Sequence, residues 1–422
     1  APGPEHALYS SEPNGLTMAI FRKAIFWAHL LTALVVGVIV VIMSATGVLL
    51  TYQRQITAWA DTRGLDGSAP STVSERLPAE TLLASAPAIE GGEPTAITWY
   101  SDADAPAMIA YGRVGRAYVN AYTGELLGRG SGSVREFFTL MTDWHRWLAR
   151  SGEERDSGRA ITGAANLGFL FIVISGLYLW WPRNWNRAAL RNITVFRSGL
   201  RGKARDFNWH NVIGFWSLVP LFLIVFSGVM ISYPWATALV YRIAGDTPPP
   251  PAGAAAQAGR SGAGAGGERR EEPELALGSP LAGSAHLEAI AEAQVEGWRS
   301  ISVALPGTAE ALTYTIDTGD GGQPHKRATL ALNRATGDVE RWEPFSAGTP
   351  GRQLRSFLRF AHTGEVGGLP GQTLAGLVSA GALVLVWTGF FLTWRRFTTW
   401  RGRANRPGVV EKPAERKRTA TV

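Results

Sequence analysis

Residues 26–50 read FWAHLLTALVVGVIVVIMSATGVLL and contain no Asp, Glu, Lys or Arg. A helix of that length rises about 37 Å, enough to cross a hydrocarbon core of about 30 Å. A buried helix in a soluble protein is shorter or carries a polar face, so the segment predicts a transmembrane helix. Ile161–Trp181, Val212–Tyr233 and Leu374–Trp394 have the same uncharged character. The 422-residue chain therefore reads as an α-helical membrane protein with four transmembrane helices, bounded at 26–52, 161–182, 210–233 and 374–394. Pro220 lies inside the third, where neighbouring helices tolerate it. The first block follows Arg22 and Lys23 and is too long for a cleaved signal, so it reads as a retained anchor. A natural start is expected at Met18, with residues 1–17 an extension before it.

Orientation follows the cations. Segments 1–25, 183–209 and 395–422 hold 18 Lys and Arg against 5 Asp and Glu, while the rest holds 23 against 29. Both termini and the basic middle loop are expected on the cytoplasmic side, with the two long loops outside. The net charge of +7 thus expresses topology, and nucleic acid is not an expected partner.

The chain also reads as two repeated halves. Trp27-Ala28-His29 precedes Gly47 by eighteen positions from the histidine, and Asn208-Trp209-His210 precedes Gly228 by the same spacing. Ser175-Gly176-Leu177 near the end of the second helix resembles Thr388-Gly389-Phe390 in the fourth. In the outward loops, Asn120-Ala121-Tyr122-Thr123-Gly124-Glu125 parallels Asn333-Arg334-Ala335-Thr336-Gly337-Asp338, a turn signature. Two small α+β domains are expected, at 53–132 and 284–350. The first has a helix near Pro78–Ala86 and strands near Ala96–Tyr100, Ala107–Tyr111 and Arg116–Ala121. The second has a helix near Ala285–Glu296 and strands near Ser300–Leu305, Leu312–Asp317 and Ala328–Asn333. Amphipathic segments at 133–160 and 351–373 precede helices two and four. The region 234–283 reads as a linker whose Pro/Gly/Ala-rich part, Thr247–Gly283, buries too little apolar surface to fold. Its Gly262–Gly267 run lacks the strand and helix of a nucleotide loop.

Cysteine is absent, which excludes disulfides, thiolate metal sites, iron–sulfur clusters and covalent c-type haem attachment. Of 7 histidines, His6, His286 and His325 fall in polar surroundings and read as solvated. The other four sit on apolar faces: His29 and His210 at the cytoplasmic starts of helices one and three, His145 and His362 in the amphipathic segments. A polar ring on such a face needs a partner. For one histidine that partner is a backbone carbonyl or the headgroup layer. Four at related positions favour axial ligation, with His29 paired to His210 and His145 to His362, each pair clamping one b-type haem. Two imidazoles are too few ligands for a closed zinc site. Gly47 and Gly228 fall about 27 Å along their helices from His29 and His210, towards the outer pair, and Gly176 and Gly389 fall towards the inner pair. These four glycines read as room for a haem face, with ordinary small-residue helix packing as the alternative. Trp216, Trp387 and Phe226 are aromatic candidates between the two levels.

The motifs Trp27-Ala28-His29, Asp143-Trp144-His145-Arg146, Ser175-Gly176-Leu177 with Trp180-Trp181-Pro182, Trp209-His210-Asn211 and His362-Thr363-Gly364-Glu365 resemble the PepSY-associated transmembrane family. The resemblance covers nearly the whole chain apart from the tails and the spacer. It implies PepSY-like periplasmic domains and, through the siderophore-iron reductases among its members, two bis-histidine haems b held by His29, His210, His145 and His362. It further implies electron delivery to a periplasmic ferric siderophore. The short cytoplasmic segments leave no room for a nucleotide domain, so the electron donor is expected to be a separate cytoplasmic reductant or a quinol. Arg135, Arg146, Arg352, Arg355 and Arg359 are candidates to receive an anionic chelate, or to anchor to headgroups or pair with Asp143 and Glu365. The competing readings are a non-catalytic module that binds a partner protein, and a haem relay to another periplasmic acceptor.

Overall fold

The computed structural model describes residues 13–72, 75–112, 114–181, 186–250, 281, 283–305 and 310–404. The chain ends, Pro182, and the 251–280 part of the expected spacer, including Gly262–Gly267, lie outside the described residues.

Among the described residues, four helices are long and apolar enough to cross a membrane: α1 (Pro13–Leu50), α5 (Arg155–Trp180), α7 (Gly202–Ser232) and α11 (Gly368–Ala404). α1 and α7 each pack against both α5 and α11, closing a four-helix bundle. Their outer faces stay apolar and open, as at Val35, 80% exposed, which fits lipid rather than water. Inside, small residues and buried amides do the joining. A Cβ on Gly168 would meet Val36 at 3.0 Å, and Gln372 donates to the carbonyl of Thr51 at 2.9 Å. α7 runs through Pro220 unbroken and begins eight residues before the expected helix start at 210. The polar first turns are paid for locally: Asp206 is held by Arg205 at 2.8 Å and Arg395 at 3.1 Å, and Asn208 accepts from the backbone N–H of Arg197 at 3.0 Å.

At one end the bundle carries further short helices. α2 (Gln53–Thr62) follows α1, and α4 (Gly132–Trp147) packs on α1 and α5. α8 (Pro234–Ile243) follows α7, and α10 (Pro350–His362) packs on α7 and α8. Residues Pro234–Ile243 are thus a helix with buried Ala236 and Val240, where the sequence reading counted them with the linker. At the other end, α6 (Arg187–Thr194) lies against α7.

Above the short helices stand α3 (Ala79–Ala84), β1 (Ala96–Tyr100), β2 (Ala107–Ala110), β3 (Arg116–Val119) and β4 (Leu126–Gly128). Their counterparts are α9 (Ala285–Ala293), β5 (Ser300–Ala304), β6 (Ala311–Asp317), β7 (Arg327–Asn333) and β8 (Val339–Pro344). The expected two domains do not stand apart. β1 pairs antiparallel with β5, Trp99 opposite Ile301 and Tyr100 opposite Ser300, giving one eight-stranded sheet ordered β4-β3-β2-β1-β5-β6-β7-β8. Each four-stranded half alone would expose an edge bearing Ile97 or Ile301, and pairing those edges removes both unpaired rows and buries both side chains completely. α3 and α9 contribute Leu82 and Leu287 to the same core, and the backbone N–H of Ala79 donates to Glu288 across the two halves at 2.8 Å. Asn120 and Asn333 each cap their turn by accepting two backbone N–H groups. Gly124 and Gly337 follow at φ of 73° and 76°, a conformation glycine adopts without a Cβ penalty.

Candidate functional site

Two cavities are stacked along the bundle. The one at the sheet-bearing end is about 1550 Å³ and is lined by His145, His362, Gly47 and Gly228. The one at the opposite end is about 1190 Å³ and is lined by His29, His210, Gly176 and Gly389. Each cavity therefore holds one of the two histidine pairs expected from the sequence, together with the two glycines assigned to that pair. Val40, Phe169 and Leu221 line both and form the wall between them.

Each ring is anchored in the same way. His29 Nδ1 lies 2.8 Å from Ser175 Oγ, His145 Nδ1 3.0 Å from Thr46 Oγ1, His210 Nδ1 3.0 Å from Thr388 Oγ1 and His362 Nδ1 3.2 Å from Ser227 Oγ. Each hydroxyl donates its single proton to the carbonyl four residues earlier: Thr46 to Ile42 at 2.7 Å, Ser175 to Phe171 at 2.7 Å, Ser227 to Leu223 at 2.6 Å, Thr388 to Val384 at 2.7 Å. The oxygen can then only accept from the ring, so Nδ1 carries the proton and Nε2 keeps its lone pair. His362 reaches the same tautomer through a second contact, to the carbonyl of Ile224 at 2.8 Å, which can only accept. Among the described residues no hydrogen bond engages any of the four Nε2 atoms.

These hydroxyls are the functional residues that sequence reading missed. Each immediately precedes one of the four glycines, as Thr46-Gly47, Ser175-Gly176, Ser227-Gly228 and Thr388-Gly389. The fourfold dipeptide was a usable signal, because one helix turn must present both a hydroxyl to a ring and open space beside it. A Cβ on Gly47 would stand 3.6 Å from His145 Cε1, one on Gly176 3.5 Å from His29 Cε1, and one on Gly389 3.5 Å from His210 Cε1. Gly228 departs from the pattern: its Cβ would meet Asn166 Nδ2 at 2.7 Å, and that amide donates to Val225. Gly228 is thus a close-packing glycine as well as a cavity residue.

The rings of His145 and His362 have centroids 6.2 Å apart and are inclined at 66°. Two imidazoles bound from opposite sides to one metal at about 2 Å, each ring centre about 1 Å behind its nitrogen, would stand about 6 Å apart. Burial pushes His145 down to about 4, and the neighbouring His362 adds to the shift. Burial lowers His362 as well, which favours the neutral form of both rings, the form that ligates metal. Among the described residues no three His, Asp or Glu side chains cluster to hold a metal by themselves. His286 and His325 are exposed, away from both cavities.

α4 and α10 bring their histidines in from the side because their starts are tied down. Asp61 in α2 is buried and accepts from the backbone N–H of Ser131 at 2.8 Å, Tyr118 at 2.9 Å and Arg135 at 2.9 Å, which fixes the start of α4 to both α2 and β3. Asp246, just past α8, accepts from the backbone N–H of Gly351 at the start of α10 at 3.1 Å. Arg135 is therefore a structural partner of Asp61. Arg146 and Arg359 line the sheet-end cavity, whereas Arg352 and Arg355 do not. Trp216 and Trp387 are 66% and 61% exposed on the outer face of the bundle, and Phe226 stacks on Phe222, so Phe169 is the aromatic side chain in the wall between the cavities.

The model of the PepSY-associated TM region matches residues 26–396, from the start of the first spanning block to the end of the fourth. The chain belongs to this family. As a PepSY-associated transmembrane protein it places its four spanning helices and its sheet within one matched region. No curated protein matches the chain.

Proposed function

We propose that this protein is a di-haem b reductase of the bacterial inner membrane, passing electrons from the cytoplasmic side to a periplasmic ferric siderophore and releasing Fe(II). The observation that carries the reading is the fourfold unit of a Ser/Thr-fixed imidazole facing a glycine, disposed as two pairs in two stacked cavities. Haem b held by two imidazoles would supply reversible one-electron transfer.

His29 and His210 would hold one such group and His145 and His362 the other. Ser175, Thr388, Thr46 and Ser227 keep each Nδ1 protonated and aim Nε2, the orientation that outer hydrogen bonds give to metal-ligating histidines generally. Phe169, Val40 and Leu221 keep water out of the space between the cavities. At the cytoplasmic mouth, Arg22, Lys23, Lys203 and Arg396 line the cavity beside an otherwise apolar wall, a fit for a flat apolar body with carboxylates at one edge. The excess of cations in the tails and the 183–209 loop supports placing both termini inside and the sheet in the periplasm. The parallel roles of α1 and α7, α4 and α10, and β1–β4 and β5–β8 support two repeated halves whose outward parts are PepSY-like. The donor is a cytoplasmic reductant or a quinol. Fe(III) is a harder ion than Fe(II), so reduction weakens an oxygen-donor chelate and frees the metal.

The test is to reduce the purified protein anaerobically, add a ferric siderophore, and follow both the visible spectrum and Fe(II) trapped by a ferrous chelator. The reading expects reoxidation with one Fe(II) formed per electron lost. A protein that binds haem and stays reduced would leave only the relay to another acceptor.

A further inference from the structure

We infer that the sheet-end cavity has a chamber above the His145–His362 pair that binds a metal chelate of net negative charge, held between guanidinium groups at the membrane level and at the seam of the sheet. The inference rests on the proposed reductase reading and names the substrate class of that site.

The cavity runs from Val40 and Leu221 inside the bundle, past both histidines, to Tyr100 and Ser300 on the strands where the two halves of the sheet join, Arg299 just before β5, and Arg116 at the start of β3. At about 1550 Å³ it is larger than the opposite cavity of about 1190 Å³, though each contains one histidine pair. The extra space lies under β1 and β5, outside the spanning helices.

Its charge is unbalanced. Arg54 is neutralised by Glu365 at 3.0 Å. Arg146 lies over the ring of Trp147 at 4.6 Å and Arg359 over Phe360 at 5.7 Å, and neither joins an ion pair among the described residues. Arg159 and Arg299 likewise have no carboxylate partner among those residues. Arg116 stands 3.8 Å from Asp61, whose carboxylate is already taken by Arg135 at 2.9 Å. Asp102, Asp104 and Asp320 also line the chamber, so four guanidiniums without an ion pair among the described residues, and Arg116 sharing Asp61 with Arg135, face three carboxylates that join no ion pair among those residues. The Tyr100 hydroxyl makes no hydrogen bond among the described residues, although its side chain lines the same space. Guanidinium groups gathered around a cavity and left unpaired favour an anion with several oxygens, which they bind through paired N–H groups. In the reaction one electron leaves the reduced protein and the bound Fe(III) becomes Fe(II). No covalent bond forms, and the donor on the opposite side restores the electron.

The test separates binding from electron transfer by using gallium(III), which has the charge and size of ferric iron but is not reduced. Full-length protein is titrated with the Ga(III) complex of a citrate-hydroxamate chelator, which is anionic, and with that of an amine-bearing tris-hydroxamate, which is cationic. The anionic complex should bind at least about tenfold more tightly, the size of one charge-assisted contact. Arg299→Gln and Arg116→Gln should each weaken it about fivefold to tenfold, with haem content unchanged and Arg299→Lys restoring most of the affinity. Equal binding of the two complexes, or anionic binding indifferent to both Gln variants, would overturn the inference. Binding as expected in a protein that does not reduce the Fe(III) form would uphold the chamber and refute the reductase reading.

Discussion

The Nδ1 of His29 stands 2.8 Å from the hydroxyl of Ser175, and that hydroxyl donates to the carbonyl of Phe171 at 2.7 Å. With two backbone carbonyls in reach of its single proton, the hydroxyl is placed to accept from the ring, which leaves the far nitrogen of the imidazole unprotonated and facing a cavity. The same chain occurs at His145, His210 and His362, and the four hydroxyls stand on the four different spanning helices. A packing role alone would not require four hydroxyls to choose the same tautomer.

Removing the hydroxyl tests that chain. Ser175→Ala or Thr388→Ala should leave the fold intact, since each loses a net hydrogen bond worth about 1 kcal/mol. With Nδ1–H no longer donating, the ring becomes a weaker donor to metal, and the midpoint potential of the group it holds should rise by a few tens of millivolts. Potentiometric titration of each variant checks this, and an unchanged potential would make the hydroxyl a bystander.

The glycines should respond in graded fashion. At Gly176 and Gly47 a methyl group reaches His29 or His145 at ordinary contact distance, 3.5 and 3.6 Å, and helix propensity favours Ala over Gly by about 1 kcal/mol. Gly176→Ala and Gly47→Ala should therefore keep full pigment and melt no lower than the parent. Leu at either position drives beyond Cβ into the ring's space and should remove the pigment of that cavity alone. Gly228→Ala should instead destabilise the bundle by about 1–3 kcal/mol through its 2.7 Å approach to Asn166, and Asn166→Ala in the same chain should relieve much of that loss.

Asp61 is buried with its side chain fully shielded, and it holds a cation, a phenol and the first turn of α4. Asp61→Ala leaves Arg135 and Tyr118 without their acceptor and should cost about 3–5 kcal/mol. Because α4 carries His145, the loss should appear first in the sheet-end cavity. Limited proteolysis near residue 130, together with pigment lost from that cavity only, would be the signature.

Glu288 gives the sheet a pH dependence. Burial pushes its carboxyl up to about 7, although the N–H of Ala79 opposes the shift. The folded form holds its proton more tightly than the unfolded chain, so stability from this group is complete below about pH 4.5 and lost as pH rises through about 7, at most about 2–3 kcal/mol. Thermal melts monitored on the sheet should fall across that window, and Glu288→Gln should flatten the fall.

The spanning helices were legible because twenty uncharged residues leave little choice in a bilayer, and the four ligand candidates were legible because a histidine on an apolar stripe needs a reason. Strands β1, β2 and β3 were read within a residue or two from alternation alone. What the sequence did not disclose was non-local. β4 is three residues long and β8 carries Glu340, Arg341 and Glu343, so neither shows a buried face. The β1–β5 pairing joins residues about two hundred positions apart, and no local pattern announces which edges will meet. Arg135 is held by Asp61 on α2 rather than by Asp143 or Glu365, a partner 74 positions away that no local pattern announces. The Ser and Thr before the glycines were visible but unread, since a hydroxyl in an apolar helix usually satisfies itself on its own backbone. Here it does that and holds a ring as well.

The central claim is that the four histidines form two cofactor sites. It is tested most directly by pyridine haemochromogen stoichiometry with reduced-minus-oxidised spectra on protein from haem-replete cells, comparing the parent with His29→Ala and His362→Ala. The account predicts two haems per chain in the parent and about one in each variant, each variant keeping the spectrum of the other site. A colourless parent, or variants that retain both haems, would contradict it.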